Sequence, residues 1–296
     1  SGDQRIVGWL DATPPPPPTP RLYQLHGDGT LFAYNGGTSW TQLDNNPITT
    51  TIAAVGDGNL YQMHSNGNVF ASNGTPGNWT LIDGGTLGTS ITAAGDGHLY
   101  QMHGNGNVFV YNGTPESWTE IDSGTLGAAL VASKDGHLYQ MHKDGKTYVY
   151  NGTPESWTEI DGGTLSVAMT VAGDGHLYVM HGNGNVFVYN GTPESWTEID
   201  SGTLGAAFAT DGDGHLYQMH GNGNIFVYNG TPESWTEVDN GTLGVAIVAS
   251  SDGHLYVRHG NGNVFVYNGT PESWTEIDAG TLGVKIVGAP TNVAHV

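Results

Sequence analysis

The stretch HGNGNVFVYNGTPESWTEID occupies His103–Asp122 and recurs, letter for letter, at His181–Asp200 and His259–Asp278. Working outward from it, the tryptophan falls at Trp40, Trp79, Trp118, Trp157, Trp196, Trp235 and Trp274, each 39 residues after the last. The Leu-Tyr pair falls at Leu22, Leu60, Leu99, Leu138, Leu177, Leu216 and Leu255. Its first step is one residue short because GGTSW replaces GTPESW. Seven repeats therefore fill the chain from about residue 21 to 289, and a period of this length dictates the architecture before any local reading does.

Each repeat reads as four short strands. In the third they are Leu99–His103, Val108–Asn112 and Trp118–Asp122, with Ala129–Ser133 leading into the next copy. β-Branched and aromatic residues dominate these runs. Asp96-Gly97 and Asn105-Gly106 supply residues that tolerate positive φ in two-residue hairpin turns. No segment carries a capped 3.6-residue apolar period, so helix is not expected. Leu99-Tyr100-Gln101-Met102-His103 offers bulk on both faces, as a strand covered on both sides requires. Four strands per 39 residues, seven times over, predicts an all-β, seven-bladed β-propeller rather than a β-solenoid, whose repeats are shorter and whose ends need caps.

The ends of the repeat array support closure. Pro14–Pro18 and Pro20 occupy the place of a first strand in repeat one, while Val284-Lys285-Ile286-Val287-Gly288 is a first strand with no repeat behind it. The C-terminal strand is expected to complete blade one and abolish an open edge; Arg5-Ile6-Val7-Gly8 is the competing candidate. The domain reading is a leader over 1–20 with a stiff polyproline segment, and one propeller domain over 21–296.

Seven basic and 28 acidic residues give a formal charge of −21, which disfavours nucleic acid and anionic lipid. No apolar run reaches the length of a membrane span, so membrane insertion is not expected. Forty-seven glycines exceed the usual ~7% share but sit at fixed repeat positions, as turns do. With no cysteine there is neither disulfide nor thiolate chemistry. The expectation is a secreted or extracellular protein, monomeric or a small homo-oligomer.

Leu22–Pro47, LYQLHGDGTLFAYNGGTSWTQLDNNP, resembles the uncharacterised fungal and bacterial repeat proteins built from LYQLH…W..LDNNP units. The architecture is similar to that of seven-bladed propeller lectins of the tachylectin and tectonin kind. No lectin motif matches residue by residue, so this second resemblance is one of architecture and implies sugar binding only by analogy.

Strand alternation sends the loops joining strands one to two and three to four to one face, and the others to the opposite face. The first face collects GDGH and NGTPESW and is the expected binding face. Sugar recognition asks for an aromatic plate together with amides, carboxylates and imidazoles. The candidate ligand-binding set is His98, Asn112, Glu116 and Trp118 in repeat three. It recurs as His137, Asn151, Glu155 and Trp157, as His176, Asn190, Glu194 and Trp196, as His215, Asn229, Glu233 and Trp235, and as His254, Asn268, Glu272 and Trp274. Repeats one and two lack the set: Arg21 and Asn59 replace the histidine, and Gly77 replaces the glutamate. The alternative for the tryptophans is blade packing, and for the glutamates a solvated loop acid. The histidines of LYxxH (His26, His64, His103, His142, His181, His220, His259) occur in every repeat and are expected to be buried, hydrogen-bonded framework.

No metal site and no cofactor are expected. Asp211-Gly212-Asp213-Gly214 is a faint calcium-loop echo that turn formation already explains. The Asn-Gly-Thr sequons, such as Asn112, have the same turn explanation. First strands such as Leu130–Ser133 and Phe208–Asp211 bring almost only small or aliphatic residues to the channel, Asp211 being their sole acid. No catalytic constellation converges there, so no catalytic residue is assigned. The reading is a multivalent carbohydrate-binding protein with glycans or glycoproteins as partners. The alternatives are a protein-interaction scaffold and an enzyme that shapes its substrate without acid–base residues, of the pericyclase or isomerase kind.

Overall fold

The computed structural model describes residues 22–46, 48–55, 59–202, 204–280, 282–288 and 293–295. The leader over 1–20, including Arg5-Ile6-Val7-Gly8, and Arg21 lie outside the described residues. Among those described there is no helix; seven antiparallel sheets stand side by side, the innermost strand of each touching those of its neighbours until the ring closes. In blade three the strands run, from channel to rim, Gly88–Ala93, Leu99–His103, Val108–Tyr111 and Trp118–Asp122. This is a seven-bladed β-propeller.

Blade one is closed as its missing first strand requires. Gly283–Gly288 pairs antiparallel with Leu22–His26, placing Val287 against Tyr23 and Ile286 against Gln24. The edge that Leu22–His26 would otherwise present to the channel is thereby paired. Val293–His295 forms a further strand against Ser166–Val171, the inner strand of blade five, which becomes a five-stranded sheet.

The second strand is buried on both faces in most blades, with Tyr61 in blade two and Arg258 in blade seven partly exposed. Leu99, Tyr100, Gln101 and Met102 are all at most 5% exposed, because neighbouring blades cover both sides of the sheet. Between the third and fourth strands the register slips at an equivalent point in every blade, at Val108/Phe109 in blade three and Val186/Phe187 in blade five. A bulge there adds local twist and turns the outer strand.

Blades are tied in sequence by the repeated tryptophan. Trp118 Nε1 donates to the carbonyl of Ile82 in the preceding blade at 3.2 Å, and Trp196 donates likewise to Ile160 at 3.0 Å. All seven repeat tryptophans make this bond, and Trp40 to Ile277 carries it across the closure at 3.1 Å. Each bond is worth about 1 kcal/mol, and the ring burial that accompanies it more.

The LYxxH histidines depart from expectation. Only His64 is fully buried; the others are half-buried. What they share is ring packing: His103 lies 4.4 Å from Phe109, and His181 4.3 Å from Phe187, at tilts near 31°. Their strand-end position brings the ring over the residue six further on, across the hairpin, so stacking rather than a conserved hydrogen bond explains their recurrence.

Candidate functional site

At the junction of two successive blades the first-face loops enclose a recess. Between blades three and four its walls are Asp96, His98, Tyr100 and Val110 on one side and Asp135, His137, Tyr150 and Gly152 on the other, around about 440 Å³. A larger recess of about 950 Å³ runs from blade four across blades five and six, lined by Tyr139, Asp174, His176, Tyr189, Asn190, Asp213, His215, Tyr228 and Asn229. A third, of about 370 Å³, lies between blades two and three, where Asn59, Ala71 and Ser72 replace the histidine and bulkier walls. The hairpin turns on this face therefore come together as strand alternation requires.

Within each complete recess the histidine is held by a carboxylate. His98 Nδ1 lies 2.8 Å from Asp96, His137 3.0 Å from Asp135 and His176 2.8 Å from Asp174; His254 lies 3.1 Å from Asp252 outside these recesses, without a hydrogen bond from its Nδ1. The Asp-Gly turn is the cause: it folds the aspartate back over the residue two further on. In the neutral ring, donation from Nδ1 leaves the Nε2 lone pair to accept from a ligand. These rings are more than half exposed at His98, His137, His176 and His215.

Blade six uses a different carboxylate. His215 Nδ1 lies 2.7 Å from Asp211, which is fully buried and also accepts the backbone N–H groups of Asp213 and His215. The oxygens of Asp211 are thus directed to these internal donors, and among the described residues no group of three or more His, Cys, Asp or Glu that could hold a metal ion gathers.

Tyrosines supply the aromatic surface of the recesses. Tyr100 and Tyr139 reach in from the LYxxH strands, and burial pushes both phenols up to about 12. Tyr150, Tyr189 and Tyr228 come from the third strands, each packed against the tryptophan of its own blade, as Tyr189 is on Trp196 with centroids 5.0 Å apart. These tyrosines were visible in the sequence at Tyr111 and its equivalents, and the replacement by Ser72 in repeat two was the available signal.

The structure does not bring Trp118, Trp157, Trp196, Trp235 and Trp274 into the recess linings; their indoles form the blade-to-blade ties. The glutamates stand at the same seam. Glu194 donates its backbone N–H to Ile160, and its Oε1 accepts the N–H of Gly162 at 2.8 Å. Glu116, Glu155, Glu233 and Glu272 make the equivalent pairs with Gly84, Ser123, Ser201 and Asn240. All five have positive φ, from 60° to 62°. Gly77 holds the same conformation in repeat two at φ 69° and donates to Leu43. The loss of glutamate there has a backbone reason, since left-handed conformations favour glycine.

Asn112, Asn151, Asn190, Asn229 and Asn268 brace the hairpin. Asn190, for example, donates to Ser195 Oγ at 3.2 Å and accepts from Thr197 at 3.1 Å. One lone pair and one N–H of each amide remain for a ligand.

The recesses face outward on a ring whose fold is widespread. No family model and no curated protein matches the sequence. Solved structures of similar fold match at low identity. The C-terminal WD40 domain of Sif2 is 16% identical, with 93% of this chain and 91% of that one covered at a TM-score of 0.60. YCF48 bound to D1 peptide is 12% identical, with 97% and 98% covered at 0.62. The acylaminoacyl peptidase of Pyrococcus horikoshii is 10% identical and matches 84% of this chain over 48% of its own length, at 0.63. At these identities the likeness is one of fold alone.

Proposed function

We propose that the protein is a multivalent carbohydrate-binding protein whose ligands enter the first-face recesses. The observation that carries this reading is the repetition of one polar–aromatic recess at successive blade junctions, each with a carboxylate-held histidine beside a tyrosine. Tyrosine rings offer the apolar face of a sugar its plate. The histidine Nε2, the aspartates and the spare asparagine valences meet its hydroxyls. In this reading His98, His137, His176 and His215, with Asn190 and Asn229, contact the ligand from the recess walls, whereas His254, Asn112, Asn151 and Asn268 line none of these recesses. The glutamates and tryptophans act behind them, holding successive blades in register. A mixed lining around about 950 Å³ has the size of a small-ligand site, and several weak copies on a rigid ring gain avidity of order 10² to 10⁴.

The test is a glycan array followed by calorimetry with the sugars it identifies. Tyr228→Ala and Tyr189→Ala should each remove binding at the large recess while the fold is kept. An array with no ligand, or full stoichiometry and affinity in the double variant, refutes the reading.

A further inference from the structure

The face opposite the recesses carries its own repeated feature. Leu87, Leu126, Leu165, Leu204, Leu243 and Leu282 are 48 to 61% exposed. Each sits in the loop between the outer strand of one blade and the inner strand of the next. Each is held there by its backbone: the Leu165 carbonyl accepts the N–H of Gly182, and Leu204 that of Gly221. Ile48 holds the seventh equivalent place through Ser65. The pinned backbone leaves the side chains projecting from the ring. Val167, Val245 and Val284, 40 to 51% exposed, extend the apolar surface at three blades. Scattered apolar residues on a surface need no explanation, but a closed crown of them marks an interaction site.

We infer that this crown is the interface for a second copy of the chain, joined face to face. Three observations select that occupant. The first is area: at about 100 Å² of apolar surface for each leucine, the six present roughly 600 Å². The valines bring this to about 800 Å², the contribution of one partner to a standard interface. The second is symmetry. A ring of like side chains around the channel axis, turned over by a perpendicular two-fold, meets itself, so the patch is self-complementary. The third is composition. The crown contains no tryptophan or tyrosine, and the adjoining turns carry lysine in one blade only, at Lys143 and Lys146. A lipid surface would call for both. The arrangement would leave the recesses of the two copies facing away from each other. The inference stands on the crown alone and does not depend on what the recesses bind.

Sedimentation velocity of the full chain between 1 and 200 μM tests it. The expected result is a monomer–dimer equilibrium that tightens between 50 and 500 mM NaCl, because salt screens the repulsion of two strongly acidic copies. Replacing Leu165, Leu204, Leu243 and Leu282 together by Ser should weaken association at least a hundredfold and change the melting temperature little, since each is about 60% exposed within one copy. The single variant Leu204→Glu, which adds charge at the crown, should weaken it at least tenfold. A wild-type chain that is monomeric at 200 μM in 500 mM NaCl overturns the inference. So does a dimer indifferent to both variants. Crown-dependent flotation with phosphatidylcholine vesicles, without dimerisation, overturns it in favour of a lipid surface.

Discussion

Glu194 offers a controlled test of how successive blades are joined. Its carboxylate accepts one backbone N–H from Gly162 at 2.8 Å, and its φ is 62°. The bond is exposed, so solvent and salt reduce the 1.5–3 kcal/mol of a charge-assisted hydrogen bond to about 1 kcal/mol. The left-handed backbone costs any residue with a Cβ about 1 kcal/mol. Glu194→Ala loses the bond and keeps the strain, and should destabilise by about 1 kcal/mol. Glu194→Gly loses the bond but relieves the strain, and should fall within about 0.5 kcal/mol of wild type. Glu194→Gln retains a neutral acceptor and belongs between them. The assay is urea unfolding at constant m-value, so that shifts in midpoint report stability. The order Glu, Gly, Gln, Ala is the expectation. A glycine variant as unstable as the alanine one would refute the account of both the strain and the natural Gly77.

Four further outcomes are expected. Burial lowers the pKa of His64, His103, His142, His181, His220 and His259 below the ordinary 6.5, with nearby aspartates and glutamates partly opposing it. The unfolded chain then takes up protons first, so the stability these rings contribute is complete above pH 6.5 and is lost as pH falls below it. A melting temperature unchanged between pH 7.5 and 5.0 would contradict this. Ile286→Ala, at 4% exposure in the clasp, should cost about 2–4 kcal/mol, read by calorimetry. Asp211→Ala should cost under about 1 kcal/mol, because Asp213 can take the histidine as Asp96 and Asp174 do in their blades; Asp211→Ala with Asp213→Ala should exceed the sum of the singles by about 1–3 kcal/mol in a double-mutant cycle. Trp196→Phe removes the indole N–H and leaves the Ile160 carbonyl to the backbone of Glu194 alone. It should destabilise by about 1 kcal/mol, with blade-five amides exchanging faster.

The period, the strand order and the clasp were legible because they depend on pattern alone: a constant spacing of tryptophans and a lone strand after Leu282. The site was legible in part. Asp-Gly-His turns and the tyrosines of the third strands can be read as co-facial from strand alternation, and the recesses contain them. The partner of Glu116 could not be read, since it lies in the preceding blade at Gly84. Positive φ at a glutamate leaves no mark in one sequence, except where another repeat writes Gly77 instead. Trp118 was read both as plate and as packing, and only its bond to Ile82 assigns it to the seam. The exchange of Asp213 for Asp211 at His215 turned on a single acid at a position where other blades place serine or a small apolar residue.

The clasp also orders events in time. Leu22–His26 leaves the ribosome early, but the strand that covers its channel edge, Gly283–Gly288, is made some 260 residues later. At about 5–20 residues per second, that edge waits roughly 15 to 50 s for its partner. Six other inner strands of similar composition emerge during the interval, each able in principle to pair there and give a smaller, miscounted ring. What protects the nascent chain is that each of these six inner strands is covalently linked by a short hairpin loop to its own second strand, which it meets within microseconds; in blade three the loop is three residues, 95–97, where the sequence predicts two. The count of seven is therefore kept by kinetics as much as by geometry, and the strand that locks it is made after the other six inner strands.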